Sequence, residues 1–145
     1  MKSISIYVDV SNLYFTLHKR YNKKLDYYKS LDFLLDLGDI VTKKAYGIRS
    51  SNNAGFTKQL QKLGFLIKYK SFDRHYSSVE IASDSLNDDN DIIIIASSSP
   101  DLVYLVNELR NKGKEVIIFA CGIPKSLQKV CNKYIEIPFS LLLEE

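Results

Sequence analysis

Acidic side chains follow two strongly apolar segments of this 145-residue sequence. Asp9 comes directly after an apolar run at the start of the chain, and Asp101 follows four consecutive isoleucines and a serine-rich stretch. Glu80 and Asp84 are four residues apart, so they would share one face of a helix. Converging carboxylates repel each other unless a cation neutralises them, and oxygen ligands suit Mg²⁺ or Mn²⁺. These positions therefore predict an acidic cation site if the fold brings them together.

Apolar segments rich in β-branched residues alternate with segments of helical periodicity. The sequence predicts strands at residues 3–8, 41–48, 65–69, 91–97 and 115–120, with a short sixth at 134–137. Helices are predicted at residues 12–21, 31–37, 78–86, 100–111 and 126–131, and another runs from a cap at Asn52 and Asn53 to residue 63. This alternation is typical of an α/β fold, a three-layer α/β/α sandwich with a mainly parallel sheet of five to six strands. Residues 1–145 are expected to form a single domain.

Ligands of such sheets bind at the carboxyl ends of the strands, where the strand order reverses. Asp9 and residues 97–101 would line one crevice there if the first and fourth strands are neighbours. The candidate residues also have structural interpretations. Ser11 or Asn12 could cap the first helix, and Ser99 could cap the helix that begins at Pro100. Asp101 would occupy a favoured position in the first turn of that helix, and Glu80 and Asp84 could form a solvated helix face. Asp9 is the most informative, because a charge directly after an apolar strand has few structural uses.

Phosphate-binding loops of two common enzyme classes are missing from the sequence. Neither G-x-x-x-x-G-K-[ST] nor G-x-G-x-x-G occurs, which argues against a P-loop enzyme and a Rossmann dehydrogenase. The fifth predicted strand lacks the terminal lysine of a phosphotransfer receiver, and Ser11 stands where a D-x-D phosphatase needs an acid. Cys121 and Cys131 are ten residues apart with no nearby histidine, so we expect two reduced, buried thiols rather than a zinc site or a disulfide.

Charge is divided unevenly along the chain. Residues 1–75 carry 14 Lys and Arg against 6 Asp and Glu, whereas residues 76–145 carry 6 against 11. This difference indicates a basic face beside an acidic site. The candidates for phosphate contacts are Lys19, Arg20, Lys23, Lys24, Lys43, Lys44, Arg49 and Arg74. The candidates for stacking on bases near that face are Tyr46, Tyr69 and Tyr76.

Apolar runs in the sequence fall far below the roughly 18 residues that span a bilayer. Asp9 interrupts the N-terminal run, and no small-residue cleavage site follows it. The expected location is therefore cytoplasmic, with no membrane partner.

Several motifs occur in an order and spacing that resemble one known family. Residues 6–14 consist of an apolar strand, Asp9, two further residues, Asn12 and a Leu-Tyr pair. An Ala-Tyr-Gly segment, a helix running into Gly-Phe, and a helix with two acids four residues apart follow at residues 45–47, 56–65 and 79–86. Further matches are residues 95–102, 113–116, 126–127 and 134–137. In these features the chain resembles the NYN domains of the PIN-like nuclease group over nearly its whole length.

The resemblance implies a PIN-like α/β/α sandwich and metal-dependent cleavage of RNA. The family's acidic site corresponds here to Asp9, to Glu80 in place of the usual Asp, and to Asp101, with Asn12 beside them. These four are the expected catalytic residues, and the three carboxylates are the expected ligands of Mg²⁺ or Mn²⁺. Residues 97–102 fall where the family has S-G-D-S-D-F, so that one family carboxylate is replaced by Ser99. The expected substrate-binding residues are Ser98, Ser99, Asp84, Lys43, Lys44, Arg49 and Arg74.

The favoured interpretation is a Mg²⁺- or Mn²⁺-dependent endoribonuclease that hydrolyses RNA phosphodiester bonds. The alternative is a catalytically impaired PIN-like module for RNA binding or assembly, which the replacement at Ser99 favours. The expected partner is RNA, while other nucleic acids and a homo-oligomer remain open.

Overall fold

Six parallel strands form the centre of the computed structural model, which describes residues 1–49, 54–69 and 76–143 and, at Tyr76, only the backbone. The strands are β1 (Ser3–Asp9), β2 (Asp39–Ile48), β3 (Leu66–Tyr69), β4 (Ile92–Ala96), β5 (Glu115–Ala120) and β6 (Lys133–Glu136). Their order in the sheet is β3-β2-β1-β4-β5-β6, and every neighbouring pair is parallel. The predicted parallel sheet is confirmed.

Helices cover both faces of this sheet. They are α1 (Val10–Tyr21), α2 (Tyr27–Leu34), α3 (Ala54–Lys62), α4 (Tyr76–Ser85), α5 (Val103–Asn111) and α6 (Lys125–Val130). Tyr27 of α2 packs edge-on against Phe56 of α3, which joins two helices of the first layer. In the second layer, Lys112 bonds to the carbonyl at the end of α4, and Arg110 bonds to that of Val130 in α6. The three-layer α/β/α sandwich is confirmed.

Several helix boundaries differ from the predicted ones. Helix α1 begins at Val10 rather than residue 12 because Asp9 is its N-cap, and α2 begins at Tyr27 rather than residue 31 because Asp26 accepts from the amide of Lys29. The predicted helix 100–111 consists of a 3₁₀ turn, Pro100–Leu102, followed by α5. The predicted caps Asn52 and Asn53 lie outside the described residues.

The two faces of the sheet differ in chemistry around β1. Ile6 and Val8 line a small cavity together with Leu13 of α1 and Leu34 of α2, so this face is apolar. The alternate residue Tyr7 points to the α4 side, where its hydroxyl donates to Asp88. The partly polar face of the sheet can therefore hold charged side chains next to β1, between the sheet and α4.

Both thiols are buried, as expected. None of the described helices combines the length and the hydropathy needed to cross a membrane.

Candidate active site

The strand order reverses between β1 and β4. From β1 the chain moves through β2 to β3 in one direction, and then crosses to β4 and continues through β5 to β6 in the other. Val8 pairs with Ala96, so that Asp9 and the serine-rich segment after β4 meet at the carboxyl edge of the sheet. This is the crevice in which open parallel sheets bind ligands. The first and fourth strands are thus neighbours, which is the condition under which the sequence predicted a shared crevice.

Asp9 is fixed at this edge by the first turn of α1. Its Oδ1 accepts from the hydroxyl of Ser11 at 2.9 Å and from the backbone N–H of Asn12 at 3.2 Å. Asp9 is only 6% exposed and lies at the positive end of the helix dipole, which favours a negative charge. The interpretation of Ser11 or Asn12 as the cap is wrong, because Asp9 itself caps the helix.

Gly47 is a site residue that sequence reasoning missed. Its φ of 79° lies in the left-handed region, and a Cβ there would be 2.7 Å from the Ser11 hydroxyl, 2.9 Å from that of Ser77 and 3.3 Å from Asp9 Oδ1. Three segments of the chain therefore approach each other so closely that only glycine fits. A glycine inside a strand, which often marks a close approach, was the available signal.

Asn12 connects the end of β1 to the segment after β4. Its Oδ1 accepts from both the N–H and the hydroxyl of Ser98, at 3.0 and 3.2 Å. This leaves the Nδ2 amide of Asn12 as the group of that side chain that can donate to a ligand. Ser99 accepts from the N–H of Asp101 at 3.3 Å and caps the 3₁₀ turn, as expected. Asp101 itself is exposed.

Helix α4 contacts β1, β2 and the turn at Pro100–Leu102, and so places its acidic residues over the sheet beside the crevice. Ser77, in its first turn, lies against Gly47. Glu80 and Asp84 follow four residues apart, about 6 Å along the helix, and Asp88 lies just beyond the end of α4. Glu80 is thus the carboxylate of this row closest to the end of α4 that adjoins Asp9.

Two tyrosines of the sheet bind the remaining carboxylates of the row. The hydroxyl of Tyr46 donates to Asp84 at 2.5 Å, Lys68 lies 3.8 Å from the same carboxylate, and the hydroxyl of Tyr7 donates to Asp88. The two rings stack with centroids 6.2 Å apart. Burial is the main cause that raises the pKa of each tyrosine, and its carboxylate partner raises it further. We call these five side chains the tyrosine layer.

The predicted site residues are only partly brought together. The crevice joins Asp9, Asn12 and Ser98 directly, and the elements that carry Glu80 and Asp101 contact its borders. Asp84, expected to bind substrate, is instead held by the tyrosine layer. Within the described residues, no three His, Cys, Asp or Glu side chains form a group that could hold a metal ion.

The predicted basic and aromatic contacts are scattered. Lys43 lies against Gly64 at the turn before β3, and the Lys44 ammonium lies 5.9 Å from the centroid of the Tyr7 ring. Arg49 and Tyr69 are exposed. Tyr46 as a base-stacking residue is wrong, because it is completely buried beneath α4. Arg74 and the side chain of Tyr76 lie outside the described residues.

Comparisons with known proteins agree with this architecture. The family model of the NYN domain matches residues 3–141. A solved structure of a protein of unknown function from Vibrio parahaemolyticus is similar, with a TM-score of 0.89 and 24% identity over 98% of this chain and 96% of that chain. At this identity the likeness shows the fold alone. None of the curated proteins matches the sequence.

Proposed function

Because the chain belongs to the NYN domain family, whose members are generally nucleases, we propose that it is an endoribonuclease acting at the crevice between β1 and β4. The observation that carries this proposal is Asp9, a carboxylate nearly buried at the carboxyl end of a central strand and held by Ser11 and Asn12. Asp9 caps α1, but an exposed polar side chain would serve that purpose as well. Its location at the reversal of strand order favours a role in binding and reaction.

The residues around Asp9 suit a phosphodiester. Ser11 and the first turn of α1 fix one oxygen of the Asp9 carboxylate, so that its orientation is set before a substrate arrives. Asn12 Nδ2 would donate to a phosphate oxygen, while Ser98 holds the amide plane through Oδ1. Glu80 and Asp101 would border the same space from α4 and from the turn after β4.

A divalent cation would reconcile the acidic crevice with an anionic substrate. Described residues do not form a three-ligand protein cage, but Mg²⁺ commonly keeps several waters and binds through one or two carboxylates together with substrate phosphate. The hard oxygen donors of this chain fit that mode. Asp9 would hold Mg²⁺ or Mn²⁺ directly, with Glu80 and Asp101 acting through water. The bound cation would supply a more acidic water and offset charge on the leaving oxygen.

The test is Asp9→Asn. Cleavage of single-stranded RNA in Mg²⁺ or Mn²⁺ should fall on the order of 100-fold or more, because the carboxylate proposed to hold the cation is lost. Asparagine caps a helix about as well as aspartate, so urea unfolding should change by less than about 1 kcal/mol. Asp26→Asn, which alters the matching cap of α2, should cleave at the wild-type rate. Equal activity of the Asp9 variant and the wild type would overturn the proposal.

A second candidate function is an RNA-binding or assembly module that has lost catalysis. It is favoured by Ser99 in place of a family carboxylate and by the lack of a three-ligand group in the described parts of the chain. If purified wild type binds RNA but cleaves none in either cation, this second function replaces the first.

A further inference from the structure

Helix α1 crosses the carboxyl ends of four strands in turn. It starts at Asp9, at the end of β1, and Asn12 accepts from Ser98 just after β4. The carbonyl of Thr16 then lies 3.9 Å from the sulfur of Cys121, just after β5. At its other end, Tyr21 packs edge-on against Phe139, beyond β6. The helix therefore leads away from the crevice along the same edge of the sheet.

The outer face of α1 presents aromatic rings. Tyr14 and Phe15 are 53% and 63% exposed, although large apolar side chains elsewhere on this helix, Leu13 and Leu17, are buried. The ring of Tyr14 stacks on that of His18, one turn further along, with an angle of only 8° between their planes. The two rings are therefore nearly parallel, and both residues are exposed to solvent. Another planar ring can stack on them.

Positive charge accompanies these rings. Helix α1 has no Asp or Glu, and its last turn contains His18, Lys19 and Arg20. The Lys19 ammonium lies 6.0 Å from the centre of the Phe15 ring, and the Lys23 ammonium lies 5.7 Å from the centre of the Phe139 ring. Glu136 lies near Arg20, but its carboxylate accepts from the amides of Gly122 and Ile123. Rings and cations interleaved in this way complement bases and phosphates.

We propose that the outer face of α1, formed by Tyr14, Phe15, His18 and Lys19, is a track for single-stranded nucleic acid that extends from the crevice. The inference rests on the proposed function and specifies the form of its substrate. Bases of a single strand can stack on exposed rings, whereas those of a duplex are stacked on each other.

Binding is measured by fluorescence anisotropy with a fluorescein-labelled, unstructured single-stranded RNA in EDTA, where cation-dependent cleavage is stopped. Tyr14→Ala and Phe15→Ala should each weaken binding about tenfold, since stacking on one aromatic ring is worth that much or more. Tyr104→Ala removes a ring that is 75% exposed on α5, in the opposite layer, and should bind as the wild type does. The duplex of the same sequence should bind more weakly and should not respond to either α1 variant.

Several results would overturn the track. The proposal is wrong if both α1 variants bind RNA with wild-type affinity, or if Tyr104→Ala weakens binding as much as they do. It is also wrong if binding of the duplex depends on Tyr14 and Phe15 as strongly as binding of the single strand does. Light scattering tests whether a second copy of the chain, rather than RNA, covers this face. If either α1 variant converts a dimer to a monomer, the face is an interface between copies of the chain.

The outcome is separable from that of the proposed function. If RNA is cleaved with the Asp9 dependence described above but both α1 variants keep their KM, only the track fails. If RNA is never cleaved but its binding still depends on Tyr14 and Phe15, only the nuclease function fails. When both proposals hold, the α1 variants should raise KM and leave kcat nearly unchanged, because neither ring touches the reacting phosphate.

Discussion

Gly47 shows how closely packed the surroundings of Asp9 are at the scale of single residues. The Asp9 carboxylate and the Ser11 hydroxyl, at the start of α1, and the Ser77 hydroxyl of α4 each lie within 3.3 Å of where a Cβ at Gly47 would be. A methyl group there must displace at least one of them. The position of the Asp9 carboxylate thus depends on a residue of β2 that has no functional group of its own.

Gly47→Ala should therefore lower both stability and cleavage. The left-handed backbone costs alanine about 1–3 kcal/mol, and the displaced Ser11 no longer orients Asp9. We expect a reduced free energy of unfolding in urea, and cleavage at least about tenfold slower under conditions where circular dichroism shows a folded protein. Gly55→Ala is the matched control: Gly55 lies in α3 with open space around it, so stability should rise by up to about 1 kcal/mol with unchanged cleavage. Wild-type cleavage by a stable Gly47 variant would contradict this account of the crowding.

The positions of Asp9 and Asn12 at the carboxyl edge of the sheet could be predicted from the sequence, because both closely follow an apolar strand. Their roles in binding and reaction stay predictions. The contacts of Gly47 could not be predicted, since a glycine inside a strand signals a close approach but not its partners, which come from the start of α1 and from α4. Asp84 was assigned to substrate for a similar reason: spacing places it beside Glu80 on one helix face, but does not reveal that Tyr46 lies below it.

At the scale of elements, the tyrosine layer determines how α4 sits on the sheet. The Tyr46 hydroxyl of β2 donates to Asp84 on α4, Lys68 of β3 adds an ion pair to the same carboxylate, and the Tyr7 hydroxyl of β1 donates to Asp88 just after α4. Without Tyr46 and Lys68, the Asp84 carboxylate would lose this hydrogen bond and ion pair while it stays partly desolvated, which is costly. The tyrosine layer therefore helps to hold the helix that carries Ser77 and Glu80.

Tyr46→Phe should destabilise the protein and change its response to alkaline pH. Loss of a hydrogen bond to a carboxylate costs about 1–3 kcal/mol near neutral pH. Burial, then the bond to Asp84, raises the pKa of Tyr46 above its ordinary value near 10. Its contribution to stability is therefore present below about pH 10 and is lost as pH rises above that value, because the unfolded chain ionises first. The variant should accordingly lose less stability than the wild type between neutral pH and pH values above about 10.

Urea unfolding at several pH values measures both effects. Tyr28→Phe, at an exposed tyrosine of α2, should follow the wild-type curve and serves as the control. An unchanged alkaline slope in the Tyr46 variant would mean that this phenol is not kept neutral by the fold.

At the scale of the whole molecule, only the strands of the basic and acidic halves of the sequence are separated: β1 to β3 come from residues 1–75 and β4 to β6 from residues 76–145, on opposite sides of the strand reversal. The helices cross this division, because α1 runs toward β6 and the acidic α4 lies over β1 and β2. The alternation of strands and helices sufficed to predict the sheet and the crevice. It did not predict the path of α1, since a helix between parallel strands can take many directions over the sheet. This helix contacts the segments that follow β4, β5 and β6.

Charge removed from Lys19 of α1 and from Lys23, two residues beyond the helix, should therefore affect RNA binding more than the same charge removed elsewhere. The double variant Lys19→Gln/Lys23→Gln should bind single-stranded RNA more weakly, and the slope of log K against log salt should become shallower by about 1.4, since each lost phosphate contact on a single strand contributes about 0.7. Lys58→Gln/Lys62→Gln removes two exposed lysines with the same spacing from α3, and so lowers the net charge equally. Its slope should remain that of the wild type. Equal changes in the two double variants would show that the overall charge attracts RNA and that the face of α1 makes no contacts of its own with the phosphates.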